Sequence, residues 1–339
     1  MQVLVEQGVI KILSEHAHSM NAALRLNALW ALKHLVYAVP TPFKKTCLEE
    51  LEPGWLVHLI CDDTEDNALI SARANVERED DQMMDEDVDM QQGEVRGWLF
   101  GSVVGQDSAK GRTPQMEARL ARYRESESNP VRKARNDDLA IQEQGLHFIR
   151  NLVTGAKSDM GRSLEAETTE MINFLFSSLG QDRLFEILAS KLRARVLRPL
   201  SRRSTSGGGR DSGSSTSSAS RVLYPQSKII EAVVMILVHF SASVPKYRQV
   251  VISQTPLLKL LVNHFNSKDK EVRAALCHLV SNLTWTDSSD DLVEAGQRAN
   301  ELHRLGFVKH LETLEKEDPE LDVQERAKQA LFQVKQHQG

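Results

Sequence analysis

Val272-Arg-Ala-Ala-Leu-Cys-His-Leu-Val-Ser-Asn-Leu283 places apolar residues at Val272, Ala275, Leu276, Leu279, Val280 and Leu283. Steps of three and four put these on one face of a helix. Four other stretches end the same way. They are Leu24-Arg-Leu-Asn-Ala-Leu-Trp-Ala-Leu-Lys-His-Leu35, Ile141-Gln-Glu-Gln-Gly-Leu-His-Phe-Ile-Arg-Asn-Leu152, Ile229-Ile-Glu-Ala-Val-Val-Met-Ile-Leu-Val-His-Phe240 and Val323-Gln-Glu-Arg-Ala-Lys-Gln-Ala-Leu-Phe-Gln-Val334. A polar side chain stands just before the last apolar one each time: His34, Asn151, His239, Asn282 and Gln333. One helix recurring with one polar position is the mark of a repeat architecture.

Spacing tests this. Phe240 to Leu283 is 43 residues and Leu283 to Val334 is 51, but Leu35 to Leu152 is 117 and Leu152 to Phe240 is 88. Each long interval holds a segment that cannot build a core. Residues 77–90 contain eight acidic side chains, and residues 201–220 are rich in Ser, Gly, Thr and Arg. Removing about 63–136, and the Ser-rich loop with the helical extension before it (about 179–224), restores a period of roughly 40 residues. Loop entropy rises slowly with length, so both insertions are expected to be disordered and to contribute nothing to a core. Shorter apolar runs at 4–13, 55–60, 170–179, 257–265 and 306–314 give each repeat an upstream helix, with Pro40, Pro42, Pro245 and Pro256 at junctions. The expected division is repeats over 1–62, 137–198 and 225–339, an acidic insertion over 63–136 and a Ser/Gly/Arg-rich loop over 199–224. The chain opens inside a helical unit with no polar outer face, which suggests a truncated first repeat.

The chain has 339 residues, 41% hydrophobic and 26% charged, with 42 Lys+Arg against 47 Asp+Glu. A net charge of -5 lacks the basic excess a general nucleic-acid binder uses on phosphates. Cys47, Cys61 and Cys277 are scattered and form no Cys-x-x-Cys, so a reduced, intracellular protein is expected. The run from Ile229 to Phe240 is interrupted by Glu231 and too short to span a bilayer. The phosphate-loop, dinucleotide, nucleophile-elbow and zinc-protease motifs are missing. Glycines at 97, 101 and 105 lack the lysine and strand of a phosphate loop, and His16 and His18 stand two residues apart, facing away from each other on a helix.

Residues 272–283 and 141–152 resemble the third helix of an armadillo repeat. The fold this implies is an all-α, right-handed armadillo-repeat solenoid of about five repeats with two disordered insertions. Ser281-Asn-Leu-Thr-Trp285, the acidic loop after it, Leu302-His-Arg-Leu-Gly-Phe-Val308 and Ala327-Lys-Gln-Ala-Leu331 resemble the C-terminal part of one subfamily, the armadillo subunit of the GID/CTLH ubiquitin ligase. Residues 24–32 and 142–152 also look like it. That resemblance implies a non-catalytic scaffold in the cytoplasm and nucleus. Its groove would hold a substrate receptor, often by its C-terminal tail, against the LisH-CTLH core. It implies no cofactor, metal, membrane, nucleic acid or small-molecule substrate. The alternative is an adaptor binding linear peptides in nuclear transport or signalling. Peptide-binding armadillo grooves pair Trp with Asn one turn later, whereas here Trp30 precedes His34, and His147 and His278 precede Asn151 and Asn282.

The polar series would line the concave face, with Trp30, His147, His278 and Gln329 one turn earlier and Trp285 one turn after Asn282. An amide there can meet an extended partner's backbone as donor and acceptor. It can equally bond the last carbonyls of its own helix. Trp285 is expected to contact a partner, since the core positions of its helix are already filled.

Overall fold

The computed structural model describes residues 8–61, 130–155, 164–197 and 221–337. Its helices, numbered in chain order, group in threes. The first repeat shows α1 (Val9–Ala17) and α2 (Ala22–Leu35); the second has α3 (Thr41–Leu51), α4 (Pro53–Cys61) and α5 (Pro130–Val153). The third has α6 (Leu164–Leu179), α7 (Gln181–Lys191) and α8 (Ser227–Ser241); the fourth has α9 (Pro245–Ile252), α10 (Thr255–Val262) and α11 (Lys270–Leu283). The fifth has α12 (Leu292–Leu305), α13 (Phe307–Glu317) and α14 (Leu321–Gln336). Both long insertions fall between the second and third helix of a repeat. The chain divides into two compact units, residues 1–62, 140–193 and 225–339 in one, and 63–139 with 194–224 in the other.

Local chemistry sets the helix ends. Prolines near the starts of α3, α9 and α10 cost no hydrogen bond there. The Asn21 side chain accepts from Ala23 and Leu24 at the start of α2, and Asp269 accepts from Glu271 at the start of α11. The corner between first and second helices needs a positive φ: Gly180 (80°), Gly306 (94°) and, in the second repeat, Glu52 (64°). A side chain is strained in that region. Glu52→Gly should therefore raise stability by about 0.5–1 kcal/mol, because relieved strain exceeds the entropy glycine adds to the unfolded chain. An unchanged or lower urea midpoint would contradict this.

The core of the larger unit lies between stacked third helices and the first and second helices behind them. The strongest packing joins α8 to α11, α13 to α14 and α11 to α14. Leu237, Phe240, Val272, Leu276, Val280 and Leu283 are buried at those contacts. The ends of third helices are closed by cations. Arg248 of α9 donates to the carbonyls of Ser241 and Ser243, and Arg298 of α12 donates to those of Leu283 and Trp285. Lys44 of α3 donates to the carbonyls of Leu152 and Thr154, and burial pushes its ammonium down to about 8. Such donors satisfy carbonyls that a helix end leaves open.

Several sequence-based expectations change. The first helix starts at Val9; positions 4 and 5 lie outside the described residues. The run at 170–179 belongs to the first helix of its repeat, α6. The second helix is α7, which lies in the helical extension set aside in the spacing test although the expected division kept 137–198 among the repeats. It is core: Leu184, Phe185 and Leu188 are buried, and it packs on α10 and α8. Its polar opening, Gln181-Asp-Arg183, beside a Ser-rich tract hid its apolar face. The insertion expected over 63–136 ends earlier, because α5 begins at Pro130; the acidic run at 77–90 lies outside the described residues. In the smaller unit, β1 (Arg195–Leu197) and β2 (Arg221–Leu223) pair antiparallel, so the loop expected over 199–224 ends in a strand. Apart from that ribbon, the described fold is all-α.

Candidate protein-binding face

The third helices stand side by side and turn one face of each toward solvent. Asparagine amides set their spacing. Asn151 on α5 donates through Nδ2 to the Lys33 carbonyl of α2 at 2.9 Å, and Asn282 on α11 donates to the Val238 carbonyl of α8 at 3.0 Å. Each binds the carbonyl one residue before the histidine of the preceding third helix, His34 or His239. The amide donors therefore join repeats rather than closing their own helix, and neither Nδ2 points to a partner. Arg150 Nε donates to Asn151 Oδ1 at 3.2 Å, and Lys33 Nζ donates to Gln144 Oε1 at 2.7 Å.

The other candidates differ in access. Trp30 is 55% exposed, with its ring edge-on to His34, centroids 4.4 Å apart; His34 is exposed. His147 is half-buried, with Nε2 3.6 Å from Glu143 one turn earlier. His239 is half-buried, His278 and Gln329 are exposed, and Gln333 keeps a buried Oε1 with no hydrogen-bond partner among the described residues. Asn151 is buried and Asn282 half-buried.

Trp285 is 52% exposed although its backbone is fixed. Its N–H donates to the Asn282 carbonyl, and its own carbonyl accepts from Arg298 Nη2. Arg298 binds both oxygens of Asp291 at 3.0 Å, and Asp291 also receives Arg248 at 3.3 Å. Arg248 adds a two-point contact with Asp287 at 2.8 and 3.2 Å. Both guanidiniums and Asp291 are buried. The residues that follow Trp285 are thus pinned to the next repeat, and the indole is presented outward from a rigid support. The sequence reading missed this network, along with the half-buried Lys33 and Arg150. Arg150 had one local signal: a cation beside Asn151 in the last turn of α5.

Electrostatics on this face run one way. Burial pushes the His239 imidazole down to about 4, and the charges of Arg150, His278 and Lys44 push the same way. Burial and Arg326 lower His278; burial and Lys33 lower His34. These imidazoles are neutral at pH 7. For His239 the folded form binds fewer protons than the unfolded chain between about pH 6.5 and 4, so its contribution is whole above that window and lost as pH falls through it. His239→Gln should remove on the order of 1 kcal/mol of the stability that the wild type loses between pH 7 and 4. Urea midpoints of the two chains at both pH values measure this; parallel losses would contradict it.

Among the described residues no group of His, Cys, Asp and Glu is placed to share a metal ion, and no helix is long and apolar enough to cross a membrane. Cys47 and Cys277 are buried, and burial raises both thiols to about 12, which makes them poor nucleophiles.

The armadillo/beta-catenin-like repeat family matches residues 2–37. No curated protein matches the chain in sequence. Among solved structures, a computationally designed armadillo repeat protein for modular peptide recognition aligns at 14% identity with a TM-score of 0.51, covering 98% of this chain and 84% of that one. A designed armadillo repeat protein in complex with the peptide (KR)4 aligns at 13% identity with a TM-score of 0.50, over the same shares of the two chains. The chain carries an armadillo repeat over residues 2–37 and folds as an armadillo-repeat solenoid.

Proposed function

We propose that this protein is a non-catalytic scaffold subunit of a multi-subunit ubiquitin ligase, acting in the cytoplasm and nucleus. Its third-helix face holds a substrate receptor against a LisH-CTLH core, so that bound substrates are ubiquitinated and degraded. The observation that carries a binding role is Trp285: a half-exposed indole on a backbone locked by buried Arg298 and Asp291 and hydrogen-bonded to Asn282. Rigid, exposed aromatics are typical interface anchors. An armadillo solenoid supports the same reading, since the two designed neighbours are described as peptide binders. The ligase assignment rests on the resemblance of 281–285, 302–308 and 327–331 to the ligase subunit.

Affinity purification of the full chain from its own cells tests the assignment. RING and LisH-CTLH subunits should co-purify. Importin beta in their place would favour an adaptor of nuclear transport, the reading that the broken Trp/Asn pairing disfavours.

A further inference from the structure

The carboxylates on the third helices are not spread evenly. In the larger unit Glu231 on α8, Glu271 on α11, and Asp322 and Glu325 on α14 stand in the first halves; α2 has none, and the one on α5, Glu143, stands just past the middle, two turns before Asn151. The second halves carry Lys33 and His34 on α2, His147 and Arg150 on α5, His239 on α8 and His278 on α11. A band without carboxylates therefore crosses adjacent helices at the level of the asparagine bonds.

Helix-end fields favour cations near C-termini, and this accounts for part of the bias. It does not account for what these groups bind. Carbonyls near the ends of α2, α5, α8 and α11 already accept from Asn151, Lys44, Asn282, Arg248 and Arg298. Lys33 and Arg150 donate to side-chain amides instead, and one amide, Asn151, links them: it binds the Lys33 carbonyl and accepts from Arg150. No described carboxylate lies within ion-pair distance of either. Both are half-buried, so each cation keeps one open side on the face. Burial lowers both; Glu143 opposes the lowering of Lys33 and the charge of Arg150 adds to it, while Glu231 and Tyr37 oppose the lowering of Arg150. A carboxylate arriving from outside would relieve that repulsion. On α14 the nearest cation, Arg326, is instead paired with Asp322 at 3.0 Å, so the band weakens there.

We propose that the second halves of the third helices bind an extended acidic segment of a partner protein. Its carboxylates meet Lys33 and Arg150, its next residues accept from the imidazoles of His239 and His278, and its backbone N–H groups reach Asn282 Oδ1. This deepens the scaffold reading, on which it rests, by stating the chemistry of the tail that the face receives.

The test is fluorescence anisotropy of the full chain with two labelled peptides: (KR)4, the ligand of the designed neighbour, and an equally long peptide of alternating Asp and Glu. The acidic peptide should bind at least about tenfold more tightly, and more weakly as salt rises. Arg150→Gln should weaken it about tenfold with unchanged melting; Lys33→Gln guards against a fold defect at Arg150 by acting on the same band from another helix. Replacing Arg202, Arg203 and Arg210 of the second insertion by Ser should leave binding intact. Equal or reversed preference, or loss only with the insertion variant, overturns the proposal. If (KR)4 binds instead and Trp285→Ala abolishes that, the acidic class fails while the scaffold reading stands.

Discussion

Replacing Asp291 by Ala will lower stability by about 3–5 kcal/mol, the range for breaking a buried charge cluster by removing one partner. Asp291 is the shared anion of two buried cations. Arg298 contacts both its oxygens at 3.0 Å, and Arg248 reaches it at 3.3 Å. Arg248 keeps Asp287, but Arg298 keeps only carbonyls and Glu294, whose carboxylate lies 3.8 Å away and is exposed. A guanidinium cannot shed its proton, so the penalty cannot be escaped by titration. Unfolding should begin in the last two repeats, because Arg248 and Arg298 fasten α9 and α12 to the ends of α8 and α11. Urea denaturation measures the loss; one below about 1 kcal/mol would mean that water replaces the carboxylate, as it can in a roomy polar site.

The second large effect separates binding from folding. Trp285→Ala should cost the complex with the proposed receptor about 2 kcal/mol or more, as truncating an interface anchor does. It should cost the isolated chain well under the 3–5 kcal/mol of a buried aromatic, because the indole is 52% exposed and only its backbone is held. Melting of the isolated chain and receptor pull-down form the pair. An unfolded variant would make Trp285 core. A folded variant that keeps its receptor at full strength would place the partner elsewhere.

What the sequence made legible follows from range. The third helices could be read because their signal is local: Val272, Leu276, Leu279 and Leu283 repeat within one helix. The row of His34, Asn151, His239, Asn282 and Gln333 was visible for the same reason. The direction of each amide was not. Asn151 and Asn282 bind carbonyls 118 and 44 residues away, which no spacing rule encodes. The network under Trp285 is hidden in the same way, since Arg248 and Asp291 are 43 residues apart and each alone reads as a surface charge. Helix α7 was legible as a helical extension but not as the second helix of its repeat, because Phe185 shows its role only by what it touches, Phe176 and Phe240.

The central claim is that the third-helix face is where a protein partner sits. Hydrogen–deuterium exchange of the chain alone and with a co-purified protein partner tests it most directly. The account predicts slower exchange, on partner binding, confined to the second halves of α2, α5, α8 and α11 and the segment through Trp285, with the first helices unchanged. Protection on α3, α6, α9 and α12 instead, with the third helices unchanged, would contradict it.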